Sequence, residues 1–195
     1  MFMSCNMGFP RTHWEVLAPA MRKQAAIHER IAGHVPRGPF KHFWGEHSRW
    51  VGDADPYSLF LAVGVPFEVV ETLDTGGHVF LADADSDSGA IGIGSDHPTK
   101  AVLIRRPDVT SASEQAQVIP ETLEALFALK HSLMPGWRDI PHVLEDIPIV
   151  CAWYPSASAA VLWNLTESPQ TVTLQCGPYL HALKLAPLDA ELVEI

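Results

Sequence analysis

A chain of 195 residues with 47% apolar and only 18% charged side chains can bury a sizeable core, which excludes a disordered polymer. The formal net charge of −10 argues against nucleic acid or an anionic membrane as partner, because no basic stripe reverses the sign locally. Cys5, Cys151 and Cys176 are odd in number and far apart, so they form neither a disulfide framework nor a zinc pair. They read as buried thiols of a reducing, cytoplasmic compartment. No run of about 18 apolar residues predicts a membrane span, and the N-terminus lacks the regions of a signal peptide.

The first predicted element is a helix over residues 12–32, with Thr12 as N-cap and Glu15 at capping-box spacing. Leu17, Met21, Ala25 and Ile31 would share its buried face, Pro19 disturbs its first turns, and Gly33 offers a C-cap. Residues 40–44 suit a short strand. Asp55-Pro56 then marks a helix start over 57–63, closed by Gly64 and followed by a strand over 65–70. Further strands are predicted at 78–82 and 100–105, separated by a loop rich in Asp, Ser and Gly. Ile119-Pro120-Glu121 opens a second helix to about 131, with Leu123, Leu126, Phe127 and Lys130 at helical spacing. From Ile147 onward every segment is short and β-like, and a polar turn at 166–170 joins two apolar runs. The fold class is therefore α/β followed by all-β, with a boundary between Met134 and Asp146.

Candidate chemistry is sparse. His42, Glu46 and His47 could hold zinc or iron from a loop, with His78 or His97 assisting, although the order matches neither His-Glu-x-x-His nor its inverse. A Trp/His-rich packing segment is the simpler reading. Asp83, Asp85 and Asp87 alternate like the opening of a calcium loop, but Ser88 and Gly94 stand where a glycine and a glutamate are needed, leaving a weak site or a solvated loop. Glu46, Asp53, Asp55, Glu68 and Glu71 provide carboxylates, yet no spacing singles out an acid–nucleophile pair. No Gly-x-Ser-x-Gly or Gly-x-Cys-x-Gly elbow occurs, so the sequence shows no catalytic set. Aromatic faces beside polar groups hold sugars, and Trp44, His47, Trp50 and Asp53 form such a group; Trp153 and Trp163, in apolar strands, suit core packing.

The run Asp55-Pro56-Tyr57-Ser58-Leu59-Phe60-Leu61-Ala62-Val63-Gly64-Val65-Pro66-Phe67-Glu68-Val69-Val70 resembles a segment of glutamine-amidotransferase-like domains in multidomain β-galactosidase-type glycoside hydrolases. Residues 161–174 and 183–195 are similar to the small C-terminal β-sandwich that follows such domains. The resemblance implies residues 1–38 as a helical connection, 39–140 as an amidotransferase-like (flavodoxin-like) α/β layer, and 141–195 as a C-terminal antiparallel β-sandwich. The Cys-His-Glu constellation of an active amidotransferase is missing. What the resemblance implies is a non-catalytic piece of a longer protein, supporting homo-oligomeric assembly and carbohydrate binding. A plain interaction module without ligand is the alternative.

Overall fold

The computed structural model describes residues 11–43, 59–70, 78–81, 100–105, 117–120 and 122–195, and the architecture is that of these residues. Helix α1 spans Arg11–Ile31. It is already helical at Arg11, so Thr12 is not its cap; Arg11 instead pairs with Glu15 one turn on, at 3.3 Å. Gly33, at φ +78°, ends it in the left-handed conformation that glycine adopts cheaply. The docked face differs from the expected one: Ile27 is buried, whereas Met21 and Ala25 are exposed. The steps of four from Leu17 to Met21 to Ala25 each walk about 40° around a helix, so that series drifts off the contact. Charge fixes the docking. Lys23 reaches Asp189 at 2.6 Å and Glu191 at 2.5 Å, and Arg30 reaches Glu194 at 3.6 Å. Burial alone would lower the Lys23 pKa, but the two carboxylates outweigh it and raise it.

Strands β1 (Phe40–Phe43), β2 (Phe67–Val70), β3 (His78–Leu81), β4 (Lys100–Arg105) and β5 (Gln117–Pro120) form one sheet in the order β2-β1-β3-β4-β5. Every neighbouring pair is parallel. A strand flanked on both sides in such a sheet is covered on both faces, which is why Phe40 and Lys41 are both buried. Of the helix expected over 57–63, the described part is a 3₁₀ turn, Leu59–Ala62. The second helix, α2, spans Leu123–Leu133 and starts later than expected. Pro120 ends an edge strand, where a missing N–H costs no ladder bond, and Thr122 caps the helix by accepting from Ala125 N at 3.3 Å. Leu126, Phe127 and Leu129 pack against Phe40, Val63, Val65 and Ile119, and the Trp137 ring meets Phe40 edge-on at 5.6 Å. No helix among the described residues is long and apolar enough to cross a membrane.

The remaining strands are antiparallel: β6 (His142–Val143), β7 (Ile149–Tyr154), β8 (Ala159–Asn164), β9 (Gln170–Cys176), β10 (Tyr179–Leu185) and β11 (Ala190–Glu194). They make two three-stranded sheets, β10-β9-β6 and β11-β8-β7. Both sheets feed one core that includes Val143, Ile149, Cys151, Leu162, Val172, Leu174 and Leu185. The polar turn after β8 carries the chain from one sheet to the other around the wholly buried Asn164. Its Nδ2 donates to Ser168 O and Ala186 O, both at 2.9 Å, and its Oδ1 accepts from Thr166 N and Oγ1. Trp163 is not in the core as expected. Strand alternation turns Leu162 inward and leaves Trp163 49% exposed, with Nε1 donating to Leu188 O at 3.3 Å.

Gly64 ties the parallel sheet to the sandwich. Its N–H donates to Ile149 O at 2.7 Å and its carbonyl accepts from Val143 N at 2.9 Å, so one residue bridges β7 and β6 across the open side of the sandwich. Arg37 N donates to Trp153 O at 2.8 Å as a second main-chain tie.

Candidate functional site

In the parallel sheet the chain passes from β1 out to β2 and then returns beyond β1 to β3. The strand order therefore reverses between β1 and β3. At such a point the connections leaving adjacent carboxyl ends diverge, and open α/β sheets bind ligands in the crevice between them. Trp44, Glu46, His47, Trp50 and Asp53 follow β1 in the chain, and Asp83, Asp85 and Asp87 follow β3; all of them, with His97 and Cys5, lie outside the described residues. The chain connectivity thus starts both groups from neighbouring strand ends.

Two of the predicted metal ligands fall on described strands. His42 is the penultimate residue of β1, at the carboxyl end, whereas His78 opens β3 opposite Phe40. The parallel register pairs His42 with Phe80, so it does not bring the two imidazoles side by side. Burial lowers the His42 pKa and favours the neutral imidazole. Among the described residues no group of three or more His, Cys, Asp or Glu could hold a metal ion.

Beneath that strand end lies a buried ionic group that sequence reasoning did not assemble. Lys41 and Glu68 are partners across β1 and β2 and both are nearly enclosed. Lys41 Nζ donates to Glu68 Oε2 at 2.5 Å, and Arg37 Nη1 donates to Oε1. With each oxygen engaged by a different cation, Glu68 links β2 to Lys41 of β1 and to Arg37. Gly38 lets this arrangement form, because a Cβ there would sit 2.1 Å from Pro66 O. The two described thiols are both shifted upward, Cys151 far more than Cys176. Burial, with a smaller contribution from Cys176, pushes the fully enclosed Cys151 well up, and burial followed by Asp139 raises Cys176. Both shifts run against the thiolate that attack requires.

Sequence reasoning also gave no signal for Arg138, His142 and Gln175, which line a concavity of ≈410 Å³ on the sandwich. They meet only through tertiary pairing, His142 lying opposite Gln175 across β6 and β9. Comparison of the chain with protein families, with curated proteins and with solved structures gives no match. The functional reading therefore rests on the geometry and chemistry of these residues.

Proposed function

We propose that this chain is a non-catalytic C-terminal portion of a glycoside-hydrolase-like protein: an amidotransferase-like, flavodoxin-like α/β layer followed by a β-sandwich. It binds carbohydrate at the crevice between β1 and β3 through Trp44, His47, Trp50 and Asp53 and supports assembly of a homo-oligomer. The observation that carries this reading is the all-parallel order 2-1-3-4-5, the order of flavodoxin-like sheets, with its reversal at the strand that leads into the Trp44–Asp53 segment. The Glu68 carboxylate engaged by Arg37 and Lys41, and the upward shift of both described thiols, support a binding role over a catalytic one.

Calorimetric titration with a panel of mono- and oligosaccharides tests it. At least one sugar should give saturable heat, and Trp50→Ala should weaken it about tenfold or more, the loss of roughly 1.4 kcal/mol or more expected from removing a stacking platform. Absence of heat with every sugar would end this reading. One observation favours a second reading, a metal site at the same strand end: burial keeps His42 as the neutral imidazole that ligates zinc or iron, with Glu46 and His47 following in the chain. Metal analysis of the purified protein separates the two, since a stoichiometric metal belongs only to the second.

A further inference from the structure

A separate concavity lies between the turn that follows α2 and the outer face of the β10-β9-β6 sheet. Met134, Trp137 and Arg138 form one wall, and His142 and Gln175 form the other. A smaller hollow of ≈340 Å³ adjoins it, sharing Arg138 and Gln175 and adding Asp139.

His142 is the informative residue. It is only 2% exposed, and its Nδ1–H donates to Ile140 O at 2.8 Å. That bond leaves Nε2 as a lone-pair acceptor. The ring is pinned edge-on to Trp137, with centroids 5.8 Å apart. Burial, outweighing the Ile140 bond and assisted by the nearby Lys130 charge, lowers its pKa, which keeps the ring neutral. Nε2 has no hydrogen-bond partner among the described residues, and it is not sealed off, since the side chain lines the hollow. An accessible lone pair on a ring held this rigidly at the edge of a hollow is a preset acceptor for a hydroxyl donor that enters it.

Its neighbours are similarly uncommitted. Gln175 sits beside His142 on the same sheet face, and its only bond among the described residues is a long one, Nε2 to Gly177 O at 3.5 Å. The exposed Arg138 guanidinium makes no ion pair among the described residues. The set thus offers one fixed acceptor, one fork of donors and one amide that does both, against the apolar surfaces of Met134 and Trp137. A carboxylate ligand would gain the Arg138 charge but would meet the His142 lone pair and, from the adjoining hollow, the Asp139 charge. A hydroxyl-rich neutral ring meets none of these conflicts, because it donates to Nε2, accepts from Arg138 and lays C–H groups on the apolar wall.

We infer that this concavity is a binding site for a neutral, pyranose-sized polyol, with His142 Nε2 accepting a ligand hydroxyl and Arg138 donating to ligand oxygens. The site is separate from the β1/β3 crevice and does not depend on it.

An amide-detected NMR titration of the full chain with D-galactose, D-glucose and, as the acidic counterpart, D-galacturonate tests the inference. A neutral sugar should shift the Gln175 side-chain amide and the Trp137 indole, with affinity falling tenfold or more in Arg138→Ala. His142→Gln, which removes the imidazole acceptor while keeping a polar side chain, should weaken binding as strongly. Trp50→Ala should leave these shifts intact, which separates this site from the crevice. Unmoved Gln175 and Trp137 signals, unchanged affinity in Arg138→Ala, or tighter binding of galacturonate than of galactose would each overturn it.

Discussion

Replacing Gly64 by alanine should lower the free energy of unfolding by about 2–4 kcal/mol, read from chemical denaturation. Two causes add. Gly64 sits at φ +73°, where a Cβ costs roughly 1 kcal/mol or more. That Cβ would also lie 2.6 Å from Val143 Cβ, in a position occupied by core, and overpacking of this kind costs about 1–3 kcal/mol. The neighbour cannot swing aside, because Val143 is fully buried and its own N–H is held by the Gly64 carbonyl at 2.9 Å. Among the described residues the substitution strikes the one whose backbone bonds to both β6 and β7 beside the parallel sheet, so the loss should appear as a drop in overall stability rather than as local fraying. A change below about 0.5 kcal/mol would mean that the junction yields and the two layers are only loosely coupled.

Replacing Lys130 by alanine should cost about 3 kcal/mol. The side chain is fully enclosed on the inner face of α2, and its ammonium donates to Glu145 O at 2.8 Å and Val143 O at 3.4 Å and pairs with Asp146 at 3.1 Å. It also lies 4.9 Å from the centre of the Phe127 ring. Alanine leaves a cavity and removes the donor from two carbonyls. Asp146 adds little to the loss: it is half exposed to water and keeps its contact with His131 Nε2 at 2.9 Å. Its carboxyl is nonetheless held below the usual range, since burial, which would raise it, is outweighed by His131 and Lys130. Lys130→Met, which fills the volume without donating, should cost about 1 kcal/mol. Equal losses for the two variants would show that the carbonyl bonds, and not the packing, dominate. Burial lowers the Lys130 pKa, with Asp146 opposing, which is the electrostatic mark of a cation used as a buried strut.

These two residues show what can be read in the sequence. The spacing of Leu123, Leu126, Phe127 and Lys130 places all four on one helix face, and Lys130 does lie on the buried side. Residue type alone would send a lysine to solvent; only the carbonyls of Val143, at the end of β6, and of Glu145, just beyond it, explain its burial. The β-branched runs of β2, β4 and β9 are legible because strand-forming residues are contiguous there. The start of α2 is not, because Ile119-Pro120 carries both a strand preference and a helix-start signal, and the edge position of β5 decides between them. Trp163 shows the same limit, since an apolar run does not say which of its alternate residues faces out. The pairing of His142 with Gln175 and the grip of Arg37 and Lys41 on Glu68 are products of register between distant segments. No local pattern encodes them.

The α/β layer is where the functional reading concentrates, since the strand order turns at β1 and the Trp44–Asp53 segment leaves from there. The most direct measurement is an amide-detected NMR titration of the full chain with whichever saccharide gives the largest calorimetric heat. The proposed function requires saturable shifts at the carboxyl ends of β1 and β3, at Phe43 and Leu81, together with the indole signals of Trp44 and Trp50. Saturable binding that leaves all four unmoved would contradict it.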